Sequence, residues 1–173
     1  LRVNPSIKTK KDRAGLWEAL SEGTLDIVAT DHAPGTVDEK EVGWEDIWKA
    51  QIGIPGVETL LPLMLEEGVC KKRISLQRLV ECLCTFPARI FGLYPRKGAL
   101  IEGSDADMVI VDLKKKTKIN ADKLHYKVGW TPYEGLRSVA PPRFTISRGE
   151  VVSVDGEITG KVGRGRFLSR RAS

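Results

Sequence analysis

The stretch LDIVATDHAPG, residues 25–35, constrains the fold more than any other part of the sequence. It begins as a short apolar run with β-branched side chains, which predicts a strand that is buried on both faces. A helical pattern over residues 9–21 precedes it and stops at Gly23. Asp31 and His32 follow the run directly. Because a core has no need of a carboxylate beside an imidazole, this pair is a candidate site for chemistry.

The secondary-structure pattern changes near residue 95, which predicts two units. The first unit alternates the strand with helical stretches, whereas the second shows the short strands and Gly-containing turns of a β-rich structure. The first unit is too short to close an eightfold barrel, which takes about 250 residues. It therefore has the pattern of the last section of a larger α/β structure. The further helices are predicted near residues 44–50, 56–67 and 75–84, and the strands in ADMVIVDL and RFTISRGEVVSVDGEIT.

Composition argues against several classes of protein. With 41% hydrophobic residues the chain can build a core, and no apolar run is long enough to span a membrane. Its three cysteines lack a disulfide framework, which favours a reducing cytoplasm. The net charge of +5 is concentrated in Lys114–Lys116 and in the tail GRGRFLSRR, without a nucleic-acid-binding motif. We therefore expect a small-molecule ligand and neither a nucleic-acid nor a membrane partner.

The sequence pattern alone leaves alternatives open at two places. Asp31 could bind a divalent metal and move protons, and His32 could be a second ligand or a hydrogen-bond donor to a substrate. An isolated Asp-His pair is equally typical of a helix cap beside a surface histidine. Trp44, Trp48 and Trp130 could form a ring-stacking platform, with Trp44 and Trp48 four residues apart, although packing in a core or an interface is the favoured interpretation.

Three segments together resemble the C-terminal third of a cyclic amidohydrolase of the dihydroorotase type. Dihydropyrimidinases or hydantoinases and allantoinases are close relatives within that superfamily. The resemblance implies an α/β fold: the C-terminal section of a TIM-type (β/α)8 barrel in residues 1–95, then part of a small β-sandwich domain in residues 96–173. The segments are NPSIKTKKDRAGLWEAL, GTLDIVATDHAPGTVDEK and GIPGVETLLPLML, and later stretches such as GALIEGSDADMVIVDL and KVGWTPYEG agree with them.

The resemblance also assigns site residues. Asp31 matches the aspartate that binds metal and acts as general base and acid, in a reaction where a hydroxide bridging two zinc ions opens a cyclic amide or ureide. His32 matches a motif histidine whose role differs between members. Asn4 matches a residue near the substrate ring, and the backbone of Ile54, Pro55 and Gly56 matches a loop that hydrogen-bonds the cyclic amide.

One departure from the family pattern bears on the substrate. Where the dihydroorotase motif has a histidine for the substrate carboxylate, this chain has Gly35, and Lys40 is the nearest cation along the sequence. The motif TVDEK favours dihydroorotase, which acts in pyrimidine biosynthesis and is our first expectation. The tail GRGRFLSR and Gly35 favour the alternative, a hydantoinase, dihydropyrimidinase or allantoinase acting on an uncharged ring.

A second departure concerns the metal. The family's other zinc ligands are histidines and a carboxylated lysine, but this chain has two histidines in all, His32 and His125. A catalytic zinc needs about three protein ligands. We therefore expect an inactive C-terminal fragment of a zinc enzyme whose full-length form can assemble as a homo-oligomer. A non-catalytic scaffold relative is the remaining possibility, and retention of Asp31 argues against it.

Overall fold

The computed structural model describes residues 2–170, and its first helix is α1 (Lys10–Glu22). The Thr9 hydroxyl accepts from the Asp12 N–H, while the Asp12 carboxylate accepts from the Thr9 N–H, which forms a capping box. The helix ends at Gly23, whose φ of 89° is left-handed. The predicted helix is confirmed, and Leu20 is buried as its spacing suggested.

The other helices lie between residues 37 and 90 of the chain, before the first strand. A long helical stretch begins after Ser75, whose hydroxyl accepts from the Arg78 N–H at 3.0 Å and caps the first turn. The helical elements of the structure confirm the helices predicted near residues 56–67 and 75–84. The elements are α2 (Val37–Glu41), α3 (Leu60–Met64) continued by a π-helical turn (Leu65–Cys70), and α4 (Leu76–Val80) continued by a π-helical turn (Glu81–Thr85) and α5 (Phe86–Ile90). None of the helices within residues 2–170 combines the length and apolar character needed to cross a bilayer.

The helix predicted near residues 44–50 is wrong. The chain makes a short 3-10 turn over Val42–Trp44 and then continues in irregular backbone. The Asp46 carboxylate accepts from the Trp48 N–H at 3.0 Å, a local bond that competes with helical hydrogen bonding.

The strand-rich part forms two antiparallel sheets, with the order β1-β4-β5-β6 in one and β2-β3 in the other. Two tight turns join β4, β5 and β6, and in each turn both central residues have positive φ: Arg148-Gly149 and Asp155-Gly156. This geometry matches the twist of a hairpin, so the strands predicted around these glycines are confirmed. The strands are β1 (Met108–Ile110), β2 (Lys116–Lys118), β3 (Arg137–Val139), β4 (Phe144–Ser147), β5 (Glu150–Val154) and β6 (Glu157–Ile158), with a 3-10 turn at Ala121–Lys123.

The buried strand predicted at residues 25–30 is wrong for this chain. The segment is extended, but it forms no ladder with any other of the described residues. Leu25 and Ile27 remain 38% and 37% exposed. A strand of a parallel sheet takes its hydrogen bonds from neighbouring strands. Here the segment is held against the helices instead, through the Val28 N–H, which donates to the Cys82 carbonyl at 3.3 Å.

The hydrophobic core joins the two parts of the chain. Leu20, Leu65 and Leu79 from the helices pack in one cluster with Val139 from β3. Val111 and Leu113 from the strand-rich part also pack against this cluster. The helical and strand-rich parts are therefore parts of one packed body, and the unit boundary at residues 95/96 stays a prediction.

Candidate functional site

Asp31 lies where the extended segment ends, and its side chain is exposed. Its φ of 46° is left-handed, a conformation that Asp tolerates better than most residues but that still costs about 1 kcal/mol. The following His32 N–H donates to the Thr30 hydroxyl at 3.2 Å. This local turn ends the extended segment abruptly and presents the carboxylate at the surface.

The imidazole of His32 is fixed by two backbone donors. Its Nδ1 accepts from the N–H groups of Gly56 and Val57, at 3.0 and 3.2 Å. The carbonyl of Gly56 accepts from the Leu60 N–H, so these two amides open the helix that contains α3 and have no acceptor inside it. An Nδ1 that accepts is unprotonated, which places the hydrogen of the neutral ring on Nε2. Of the roles predicted for His32, the geometry favours a hydrogen-bond donor over a metal ligand.

The loop before α3 is bonded to the segment that follows His32. The Ala33 N–H donates to the Ile54 carbonyl at 3.2 Å, and Pro55 is fully buried. The Gly56 N–H is used by His32, while its carbonyl accepts from the Leu60 N–H and the Thr59 hydroxyl. The Gly56 polar groups expected to bind a cyclic amide are thus engaged within the protein.

Asn4 is exposed and lies two residues after Arg2. The Arg2 carbonyl accepts from the Gly53 N–H at 3.1 Å, and the Arg2 guanidinium donates to the carbonyl oxygens of Ile47 and Ala50. Because two residues span at most about 7 Å, these bonds bring the Asn4 backbone close to the same loop.

Gly35 is buried under the side chain of Gln51. A Cβ at position 35 would overlap the amide end of the Gln51 side chain and lie 3.3 Å from Gln51 Cβ, so a side chain fits there only if Gln51 moves. The Gly35 carbonyl accepts from the indole N–H of Trp130 at 2.8 Å. The position where the resemblance expects a histidine therefore has no cation, and the Gln51 side chain occupies the adjacent space.

Lys40 is committed to the backbone. Its ammonium donates to the carbonyl oxygens of Gln51, at 2.6 Å, and Gly53, and lies 6.0 Å from the centre of the Trp130 ring. Partial burial lowers the pKa of Lys40 below its ordinary value, although nearby Glu39 opposes this. Lys40 stabilises the loop rather than standing free to bind a substrate carboxylate.

A segment from the strand-rich part, residues 125–130, completes the surroundings of His32. The Tyr126 hydroxyl accepts from the Glu58 N–H at 2.8 Å, and its ring centre lies 5.3 Å from that of His32. The Glu58 carboxylate accepts from the His125 N–H at 2.9 Å and contacts His125 Nδ1 at 2.8 Å. His125 thus lies against the turn that binds His32, although the two histidines are far apart in the sequence. The motif KVGWTPYEG supported the resemblance, but no spacing rule linked it to residues 31–58.

The described residues do not form a metal centre by themselves. Residues 2–170 contain no group of three or more His, Cys, Asp or Glu side chains placed to hold a metal ion. Two open cavities, of about 530 and 250 Å³, lie around Asp112 and Arg143, and neither is lined by Asp31. Asp31 thus stands on an open surface, with one carboxylate where a catalytic zinc would need about three protein ligands.

Two further predictions concerned the tryptophans and the cysteines. Trp44 and Trp48 are 91% and 80% exposed, so neither packs into the core that residues 2–170 form, and the Arg2 guanidinium lies 5.3 Å from the centre of the Trp48 ring. Packing at an interface stays a prediction for both. The cysteines are free, and burial raises the pKa of the Cys82 and Cys84 thiols, with nearby Arg78 opposing this at Cys82.

With this geometry in place, comparison with known proteins identifies the family. The model of the Amidohydrolase family matches residues 3–153. The chain belongs to this family. The L-hydantoinase of Paenarthrobacter aurescens is 43% identical over 171 residues, which are 99% of this chain and 37% of that protein. A D-phenylhydantoinase of Escherichia coli O1:K1 / APEC is 39% identical over 170 residues, which are 98% of this chain and 37% of that protein.

Solved structures agree with the family and with the predicted fold class. The L-hydantoinase (dihydropyrimidinase) from Arthrobacter aurescens has a TM-score of 0.93 at 43% identity, over 98% of this chain and 38% of that one. A D-hydantoinase (dihydropyrimidinase) from Thermus sp. has a TM-score of 0.94 at 34% identity, over 98% and 37%. The chain thus spans little more than a third of these relatives, and its fold is a section of the amidohydrolase barrel fold, as predicted. The names favour the hydantoinase alternative over dihydroorotase, which we had placed first.

Proposed function

We propose that this chain supplies the last part of the active site of a cyclic amidohydrolase that opens an uncharged cyclic ureide, of the hydantoin or dihydropyrimidine type. The observation that carries the substrate class is the packing of Gln51 onto Gly35. A ring with a carboxylate, such as dihydroorotate, would need a cation at this place. Gly35 offers none, and the Lys40 ammonium is already bonded to two carbonyl oxygens. The names of the relatives support the same choice.

Asp31 is the proposed catalytic residue. Its exposed carboxylate can take a proton from the attacking water and return it to the leaving nitrogen of the ring. The resemblance further implies that Asp31 binds zinc in a binuclear site. Because the described residues do not form a metal centre alone, the remaining ligands of that site would come from outside them.

The other site residues have supporting roles in this proposal. His32 donates its Nε2 hydrogen to a carbonyl oxygen of the ring, and a fixed donor of this kind stabilises negative charge that develops there. Asn4 lies near the substrate ring. Gly35, Pro55 and Gly56 shape the wall against which the uncharged ring packs.

The experiment uses the whole enzyme, meaning this chain together with the remainder of the barrel. Hydantoin, dihydrouracil, dihydroorotate and allantoin are assayed side by side. We expect cleavage of hydantoin or dihydrouracil and none of dihydroorotate. Preferred cleavage of dihydroorotate would show that the substrate class is wrong, and cleavage of allantoin alone would favour the allantoinase alternative.

Replacing Asp31 by Asn tests the catalytic assignment. Asn tolerates the same left-handed backbone, so the fold should persist while turnover falls by about 10³-fold or more. Asp26→Asn, an exposed carboxylate five residues earlier, is the control and should retain activity. Full activity in Asp31→Asn would remove Asp31 from the mechanism.

Three further parts of the proposal concern the setting of the enzyme. Unpaired thiols at all three cysteines fit a reducing cytoplasm, which we propose as the compartment. We propose homo-oligomerisation of the whole enzyme, which light scattering would test. The 173-residue chain alone should be inactive, and a chain of this length that binds two zinc ions and turns over would contradict that expectation.

A further inference from the structure

The first turn of the helix that contains α3 is capped by side chains from two distant parts of the sequence. His32 Nδ1 accepts from the Gly56 and Val57 amides, and the Tyr126 hydroxyl accepts from the next amide, that of Glu58. These are amides that a helix start leaves without intrahelical acceptors. Three successive amides are therefore satisfied by two aromatic side chains that also touch each other.

Tyr126 reaches this turn across a sequence separation of 68 residues. It is held there by its neighbour His125, which bonds to the Glu58 carboxylate through both its N–H and its ring. The rings of Tyr126 and His32 have centres 5.3 Å apart and planes tilted by 45°, a contact geometry that aromatic rings favour. A displacement of Tyr126 would therefore release both the Glu58 amide and one face of the His32 ring.

The state of His32 depends on this turn. Its Nδ1 stays an acceptor as long as the Gly56 and Val57 amides point at it, and only then is the ring hydrogen fixed on Nε2. Without the two amides, the neutral imidazole can exchange between tautomers and rotate. A donor that must meet a developing charge loses much of its effect when it is free to move.

We propose that Tyr126, which the strand-rich part contributes, is a positioning residue for His32. It holds the Gly56–Glu58 turn and the imidazole so that the Nε2 hydrogen of His32 is presented as a fixed donor to the substrate carbonyl. This role rests on the proposed function, because it is the cyclic ureide that supplies the carbonyl. Tyr126 itself touches neither the substrate nor a metal.

The first readout does not depend on activity. Tyr126→Phe retains the ring but loses the acceptor for the Glu58 amide, and Tyr126→Leu also loses the contact with the His32 ring. Hydrogen exchange of the whole enzyme, followed by mass spectrometry, should show exchange of the 56–58 amides at least about tenfold faster in Tyr126→Phe and faster still in Tyr126→Leu. Tyr94→Phe, which removes a hydroxyl elsewhere, should leave these amides unchanged. Unchanged exchange in both Tyr126 variants overturns the proposal.

The second readout separates positioning from a general loss of structure. With active enzyme counted by titration, Tyr126→Phe should lower kcat about tenfold on hydantoin or dihydrouracil and change KM less than twofold, since the misplaced donor acts in the transition state. Faster exchange with unchanged kcat and KM overturns the positioning role. If the unsubstituted enzyme turns over neither substrate, the proposed function fails, and the exchange experiment still decides whether Tyr126 holds the turn.

Discussion

His32 shows how a single side chain can hold a structure at one atom and serve chemistry at another. Nδ1 caps the helix start, and Nε2 carries the hydrogen. Asparagine places its amide oxygen near the position of Nδ1, whereas glutamine places its amide nitrogen near that of Nε2. The two substitutions therefore separate the two roles of the imidazole, acceptor for the turn and donor to the substrate.

We predict that His32→Asn retains the fold and loses about 10²-fold in kcat, because it keeps an acceptor for the turn but not the distal donor. His32→Gln should retain more activity per folded molecule but lose about 1 kcal/mol of unfolding free energy, since two amides lose their acceptor. Steady-state kinetics of both variants measure kcat, and denaturant unfolding measures the unfolding free energy. The reverse order in either property would contradict the assignment of the two nitrogens.

Two glycines make a matched pair for a packing test. Ala at position 35 would push against Gln51, whereas Ala at position 15, in the middle of α1, would meet nothing within 4 Å. Gly35→Ala should cost about 1–2 kcal/mol of unfolding free energy, and Gly15→Ala should gain about 0.5–1 kcal/mol from helix propensity. Urea unfolding compares them. If Gln51→Ala fails to relieve the cost at position 35, Gln51 is not the obstacle.

The sequence pattern by itself singled out only residues that stand together in the chain, whereas Asn4, Pro55 and Gly56 were assigned through the resemblance. Asp31, His32 and Gly35 occupy one short motif, so a pattern could single them out. The contacts of Glu58 with Tyr126 and of Gly35 with Trp130 join residues 68 and 95 positions apart. No period or spacing rule connects such pairs, and their importance became visible only in three dimensions.

At the scale of elements, an ion pair ties the π-helical turn that continues α3 to β2. The ammonium of Lys116, on β2, donates to the Glu66 carboxylate at 2.6 Å and to Cys70 Sγ at 3.0 Å. Hydrogen bonds to Glu66 and then Cys70 raise the pKa of Lys116, with partial desolvation opposing them. Glu66 is 8% exposed, so its carboxylate depends on this partner.

Replacing this lysine by methionine should therefore destabilise the chain. We predict a loss of about 2 kcal/mol in unfolding free energy for Lys116→Met, because a buried carboxylate loses its cation. Lys115→Met is the control, since the Lys115–Asp155 pair is 63% and 54% exposed and should be worth about 0.5 kcal/mol or less. Guanidinium unfolding gives both values, and equal effects would mean that Glu66 does not depend on Lys116.

Local signals explain why most elements could be predicted. Thr9 with Asp12, and Ser75 with Arg78, cap their helices through bonds between residues three apart. Gly149 and Gly156 likewise form their hairpin turns with residues next to them in the sequence. The segment 25–30 has the composition of a buried strand, but pairing depends on neighbours, and the described residues provide none. Its strand prediction failed for that reason and not because of its own residues.

At the scale of the whole molecule, an ionic cluster joins the end of the helical part to the sheet. Lys97 bonds to the carboxylates of Asp105 and Asp107, and Asp107 also accepts from the Arg148 N–H at 2.8 Å. Burial opposes ionisation of Asp107, but the bonds from Lys97 and Arg148 outweigh it and hold the pKa of this carboxyl below its ordinary value.

This depressed pKa predicts a pH dependence of stability. A carboxyl whose pKa is lower in the folded than in the unfolded chain stabilises the fold above the unfolded value, near 3.9, and loses that contribution as pH falls through the folded value. We expect Asp107→Asn to lower the unfolding free energy at pH 6 and to flatten its decline below about pH 4. Glu45→Gln, at an exposed carboxylate outside the cluster, is the control. If the unfolding free energy of Asp107→Asn declines below about pH 4 as steeply as that of the unsubstituted chain, the cluster does not couple stability to pH.

The bond between Trp130 and Gly35 also dictates an order of events during folding. Closing a loop of 95 residues costs about 4 kcal/mol of chain entropy from its length dependence alone, whereas the helix caps close over three residues. Local elements therefore form first, and the surroundings of His32 form last. On the ribosome, Asp31 and His32 are synthesised before Tyr126 and Trp130, so their final environment has to wait until these two residues have emerged.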